Sequence, residues 1–303
     1  MELRISRNLE ITVLMDNFSD GLLPSTPEVS RHGLVRDGRL SPPLIAEHGL
    51  SYLIAWEADR SHQILLDFGL SAAGVRQNLE TLGLDLSGVE AVVLSHGHFD
   101  HYGGLAALAP LLPSGIPLYA GVDVFRHRYL KLGEQLADGG QLRKDSLGAL
   151  APRLVRQPQE ILPGALLSGE IPRLTEFEKG APNLLVEEDG EIQQDNFVGE
   201  QALGFRTGEG LVVISACAHA GIVNTVRHFQ ELTGEKRIRG VIGGFHLSGA
   251  PEGKIRATVA ALAELDAKRL VPMHCTGVVA QRELAERMPE ITGVNAVGSR
   301  WRF

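Results

Sequence analysis

His96-Gly97-His98-Phe99-Asp100-His101 follows the apolar run Val92-Val93-Leu94, with Ser95 between, and precedes Tyr102-Gly103-Gly104-Leu105. Four metal-ligand side chains fall within these six residues, at the end of what reads as a buried strand. Imidazoles and carboxylates packed so closely are costly to bury unless something binds them. His96 and His98, two residues apart in an extended loop, point the same way. Asp100 and His101 sit on the next turn and face a second point. The spacing therefore predicts two adjacent metal ions. The bland alternative, a polar turn at a strand end, suits one histidine better than an H-x-H-x-D-H string.

The chain on either side predicts alternating strands and helices. Leu9–Leu14 reads as a strand, followed by a Ser-, Pro- and Gly-rich loop from Asp16 to Ile45. Ser51–Trp56 and His62–Asp67 read as paired strands. Asp67, in Leu65-Leu66-Asp67-Phe68-Gly69, either caps a turn or orients a ligand. Apolar spacing predicts a helix over Ser71–Leu84, a strand over Val89–Ser95 and a helix over Gly103–Leu112. It further predicts a strand over Ile116–Tyr119 and a helix over Val122–Leu132. The alternation argues an α/β layer architecture. Residues 133–165 are irregular and locally basic (Arg143, Lys144, Arg153, Arg156), and read as an insertion flanking the site within one domain spanning 1–303.

Three later strands repeat the pattern of the first. Leu211–Ile214 runs to Cys217-Ala218-His219, Ile238–Ile242 to Gly243-Gly244-Phe245-His246, and Arg269–Met273 to His274-Cys275-Thr276-Gly277. Helices are expected over Ile222–Leu232, Lys254–Leu265 and Gly277–Met288. Ligands gather outside the carboxyl ends of strands in α/β sheets, so four strand ends carrying histidine point to one shared metal site. His32, His62, His127 and His228 lack that context and are expected at the surface. His48 is a candidate substrate contact. So are Arg173, which could pair with a phosphate or carboxylate, and Thr276, which opens a helix beside a ligand. His246 and Asp100 are candidates for acid–base work. Cys275 reads as a buried thiol rather than a ligand, and no cysteine is expected in a ligand position.

Composition narrows the functional classes. With 303 residues, 44% of them hydrophobic and 22% charged, the chain has the make-up of a globular protein with a sizeable core. A net charge of -8 and 5% aromatics argue against a nucleic-acid footprint. Two cysteines, far apart, argue against a disulfide framework. The charged start, Met1-Glu2-Leu3-Arg4, lacks a following apolar signal region. No apolar run approaches membrane-spanning length. The expectation is a cytoplasmic protein acting on a small molecule, with no membrane or nucleic-acid partner; a homo-oligomer is left open.

The five motifs Asp67, HGHFDH, His219, His246 and His274, in that order, resemble those of the metallo-β-lactamase superfamily. Local text (AEHGLS, LSHGHFDHYGGL, GEIPR, SACAHAGIVNTV, VIGGFHL, PMHCTG) is similar to the group of 7,8-dihydropterin-6-methyl-4-(β-D-ribofuranosyl)-aminobenzene-5'-phosphate synthase-like proteins. The resemblance implies an αββα four-layer sandwich with a dinuclear site at one sheet edge. His96, His98 and His219 would hold the first ion; Asp100, His101 and His274 would hold the second. The superfamily's fourth motif commonly supplies an aspartate that bridges the ions. His246 stands there instead, with no carboxylate nearby, and either ligates one ion or faces the substrate.

Mixed His and Asp ligands suit zinc, with manganese or iron as alternatives. Two ions about 3.5–4 Å apart lower the pKa of a shared water for attack. The expected function is a metal-dependent hydrolase using such a hydroxide on a phosphoester of a pterin- or nucleotide-like molecule. Alternatives are a dihydropterin-transferring synthase releasing pyrophosphate, and a metal-bearing regulatory protein with little turnover.

Overall fold

A computed structural model describes all 303 residues. Two sheets face each other. Across the first, the strand order is Ala151–Val155, Pro117–Gly121, Ala91–Leu94, Ser61–Leu66, Ser51–Glu57, Arg7–Met15, Arg300–Arg302 and Val29–Ser30. Across the second, it is Gln159–Leu162, Ala165–Leu167, Leu203–Thr207, Gly210–Ser215, Ile238–Gly244 and Leu270–Met273. Ile11, Tyr52, Ile64 and Val93 of the first sheet share one buried cluster with Leu203, Val212, Ile242 and Val271 of the second. Helices cover the outer faces. Ala72–Leu82 and Leu105–Leu108 pack on the first sheet; Ile222–Thr233, Glu252–Glu264 and Val278–Arg287 pack on the second. This is the α/β layering expected from the alternation, in the αββα order that the resemblance implies. No helix is long and apolar enough to cross a membrane.

Parallel pairing aligns the strand ends that matter. Ala91–Leu94 lies between Ser61–Leu66 and Pro117–Gly121, parallel to both. Its four residues are wholly buried, as continuous apolar strands between two layers must be. In the second sheet Gly210–Ser215, Ile238–Gly244 and Leu270–Met273 run parallel and adjacent. All of these strands end at the same rim.

The expected helix over Val122–Leu132 does not form. Its first part is a turn and Arg128–Leu132 is a strand. Hairpin pairing with Gln135–Asp138 and Leu184–Val186 overrides the local spacing. So does the Arg128 side chain, buried between Asp123 and Asp195 at 3.2 and 2.8 Å. The strands Gln135–Asp138, Arg128–Leu132, Leu184–Glu188 and Glu191–Gln194 form a small antiparallel sheet beside the site. Within 133–165, Ala151–Val155 is an edge strand of the first sheet and Gln159–Leu162 an edge strand of the second. Of the basic residues there, Arg143 pairs with Asp145 and Arg156 with Glu170 at the surface.

Two histidines expected at the surface are buried. His62 hydrogen-bonds Asp59 and Glu90 at 2.7 and 2.9 Å and stacks on Trp56. His228 bonds the Ser168 carbonyl at 2.9 Å. Each has found partners that sequence spacing does not reveal.

Candidate metal centre

His96 Nε2 lies 3.0 Å from His98 Nδ1 and 3.1 Å from His219 Nε2, so three imidazoles meet at one point. Burial keeps all three neutral. It pushes His98 down to about 3, and His96 and His219 well below the usual histidine range, where neighbouring histidines add to the effect. Orientation is set from behind. Ser95 Oγ donates to Asp67, so His96 Nδ1 donates to that hydroxyl at 2.9 Å and its Nε2 is left as the free lone pair. Phe197 stacks flat on the His219 ring, centroids 3.8 Å apart.

The second set lies alongside. Asp100 Oδ2 is 3.6 Å from His101 Nε2 and 3.4 Å from His274 Nε2. Burial alone would raise the Asp100 carboxyl, but His101 and His274 hold it well below the usual carboxylate range. Burial likewise opposes charge on His101, yet Asp100 and Asp67 outweigh it and lift the ring to about 9. Asp67 is fully buried. Its Oδ2 accepts from His101 Nδ1 at 2.6 Å and from Ser95 Oγ at 2.7 Å, while Oδ1 accepts from Ser95 N. Of the two roles open to Asp67, it takes the orienting one, fixing the His101 tautomer with Nε2 toward the site.

Tight backbone makes this packing feasible. Asp67, Ala218, His246 and His274 have φ of 59°, 56°, 45° and 50°, left-handed values that non-glycine residues adopt under constraint. They turn the chain sharply out of each strand. A side chain at Gly97 would meet Arg128 Nη1 at 2.2 Å and the Val124 carbonyl at 2.6 Å, so only glycine lets the chain pass between the first two histidines.

The remaining sequence candidates divide. His246 and His48 join His98, Asp100, His219 and His274 on the wall of a cavity of about 280 Å³. His48 stands at its mouth, Nε2 3.9 Å from Asp100 Oδ2. Arg173 and Thr276 do not line it. Arg173 donates to the carbonyls of His219, Asn196 and Glu178, holding loops behind the site. Thr276 Oγ1 accepts from Phe245 N and so fixes the approach to His246. The helix start at Ile222 is also closed to an anion, because the Glu178 carboxylate already accepts from Val223 N and Asn224 N.

Besides Phe197, four residues of the site went unread in the sequence. Glu200 accepts from His219 N and Ala220 N, and burial pushes its carboxyl up to about 7. Asp16 accepts from His274 N, and Asn17 donates to His274 O. All three lie far along the chain from what they support. The fourth is Cys217, whose buried Sγ is 3.2 Å from His101 Nε2. The C-x-H spacing of 217–219, like H-x-H at 96–98, was the available signal.

These donors fit divalent metal ions. Two ligands of a tetrahedral ion, each about 2.0–2.1 Å from it, lie roughly 3.3 Å apart, close to the distances from His96 to His98 and His219 and from Asp100 to His101 and His274. Both ring nitrogens of His274 are buried without a hydrogen-bond partner, a cost that coordination through Nε2, the atom beside Asp100, reduces.

Comparison with known proteins identifies relatives of the chain. The chain is 32% identical to 7,8-dihydropterin-6-methyl-4-(β-D-ribofuranosyl)-aminobenzene-5'-phosphate synthase of Methanocaldococcus jannaschii, over 82% of this chain and 87% of that one. An uncharacterized protein of the same organism is 30% identical over 80% of this chain and 88% of its own length. Among solved structures, a metal-dependent hydrolase of the beta-lactamase superfamily superposes with a TM-score of 0.75 at 29% identity, covering 97% of this chain and 99% of that one. The metallo-beta-lactamase superfamily matches residues 44–274, and with the αββα layers and the histidine-bearing strand ends in place, the chain belongs to that superfamily.

Proposed function

We infer that this protein is a metal-dependent hydrolase that cleaves a phosphoester of a small, ring-bearing molecule of pterin- or nucleotide-like character. The observation that carries this reading is the convergence of six His and Asp side chains beneath a cavity of about 280 Å³ that Phe99, Tyr129, Leu130 and Leu184 also line. A flat ring suits that wall. No uncommitted lysine or arginine lines the cavity: Arg128 is matched by Asp123 and Asp195. The substrate's phosphate charge therefore belongs at the ligand set below. Two divalent ions held there, zinc before manganese or iron, would supply Lewis acidity and a lowered water pKa. His246 lines the cavity 4.1 Å, ring to ring, from His219 and is available to give a proton to the leaving oxygen. His48 at the mouth meets the distal part of the substrate.

The second reading is a dihydropterin-transferring synthase, in which pyrophosphate leaves as an aromatic ring attacks. The 32% identity to a protein of that name favours it. Both chemistries put an anionic phosphate leaving group or centre on the same ligands. Metal analysis with turnover of bis-p-nitrophenyl phosphate and a panel of phosphomonoesters tests the first reading. The expected outcome is metal-dependent turnover that His98→Ala abolishes. Metal-replete protein inert across the panel removes the hydrolase. Product from a dihydropterin pyrophosphate and ribofuranosyl-aminobenzene phosphate then establishes the synthase.

A further inference from the structure

The strand end that commonly offers a bridging aspartate carries His246 here, and the buried carboxylates around the site are committed elsewhere. Asp67 serves Ser95 and His101, Glu200 the backbone of His219 and Ala220, and Asp16 the backbone of His274 and the Asn295 amide. A sulfur atom stands where such a carboxylate would be needed. Cys217 Sγ is buried. It lies within 4.8 Å of ligand atoms of His96 and His101, of His219 and His246, and of His274 and Cys275. It thus reaches members of both sets, His96 and His219 of the first and His101 and His274 of the second. Its closest approach, 3.2 Å to His101 Nε2, is a separation that two ligands of one ion would show. His274, 1% exposed, has no hydrogen-bond partner on either ring nitrogen. The neighbouring Cys275 donates its thiol to the Cys217 carbonyl at 3.6 Å and is occupied by that contact.

We propose that Cys217 is a thiolate ligand shared by the two metal ions, in the place of a bridging carboxylate; this rests on the metal-centre reading above. On binding, the Cys217 thiol releases its proton to solvent and its sulfur lone pairs bond to the ions, with no change of oxidation state. A soft thiolate between the two sets selects zinc or ferrous iron over manganese and magnesium.

Cobalt(II) titration of the metal-free protein, followed by absorption, tests this. A sulfur-to-cobalt charge-transfer band in the near ultraviolet is expected to grow with both the first and the second equivalent. X-ray absorption of the zinc-loaded protein is expected to contain a sulfur shell at about 2.3 Å. Cys217→Ser loses the band and the shell, Cys275→Ser keeps both, and Cys217→Asp restores two-ion binding without the band. Two bound cobalt ions with no band overturn the shared thiolate alone, as do a band that stops growing after one equivalent and a band that survives in Cys217→Ser. Protein that takes up no cobalt overturns the metal-centre reading and this proposal together. The wild-type titration and sulfur shell decide the matter even if the serine variant fails to fold.

Discussion

His96, His98 and His219 offer three neutral imidazoles, with nitrogens 3.0 and 3.1 Å apart. Asp100, His101 and His274, beside them, mix an ionised carboxylate with a histidine lifted to about 9, at separations of 3.4 and 3.6 Å. The first set is held open by burial: no charge has to be displaced before an ion enters. The second is held together by charge, with His101 protonated between Asp67 and Asp100 until a cation replaces that proton. The difference teaches that neighbouring sites built from one motif can load by different routes. The first loads by simple occupation of waiting lone pairs, the second by exchange of a proton for a metal.

The largest expected effect breaks the first set. His219→Ala removes one of three imidazoles and the ring on which Phe197 stacks. First-site affinity should fall more than about 100-fold, beyond the ~10–100-fold typical of an outer-shell partner. Zinc competition with a chromophoric chelator measures it. Retention of affinity within tenfold would break the three-imidazole description.

A smaller effect falls mainly on the second set. Asp67→Asn keeps the shape but weakens the hydrogen bond that fixes His101 directly. Second-site affinity should drop on the order of 10–100-fold, and the first site, which Asp67 reaches only through Ser95 and His96, should lose less. Equal losses at both sites in a stepwise titration would mean that the sets are not separable.

The smallest effect is one of pH. With His98 near 3, and His96 and His219 well below the usual range, all three are already neutral at pH 7. The first equivalent should therefore release almost no proton from a histidine. His101, near 9 in the metal-free protein, is protonated at pH 7 and must lose that proton. The histidine contribution to second-site affinity should therefore rise with pH up to about 9 and then level. A thiolate at Cys217 would release a proton of its own, so the comparison is made in Cys217→Asp, where calorimetry in buffers of different ionisation enthalpy counts the histidine protons without it. Identical pH slopes for both equivalents in that variant would erase the distinction.

The strand ends were legible because their signals are local. An apolar run, a histidine and a glycine-rich turn recur within a few residues, and parallel strands bring such ends to one rim. The support of the site was not legible, since Asp16, Glu200 and Phe197 act on His274 and His219 from remote parts of the chain. Arg173 and Thr276 look like anion contacts in sequence because a cation and a helix start carry no label saying which way they face. In the fold, backbone carbonyls and the Phe245 amide claim them.

The sequence by itself determined the α/β alternation and the His- and Asp-bearing strand ends, because periodicity and ligand spacing are properties of short segments, and its motifs carried the resemblance that implied the family and the layer order. Only the tertiary structure decided the rest. It turned Arg128–Leu132 into a strand beside the cavity through a buried ion pair. It spent the helix start at Ile222 on Glu178, and it brought Cys217 between the two ligand sets. Each of these depends on which distant groups compete for the same buried donor, acceptor or charge, and only packing sets that competition.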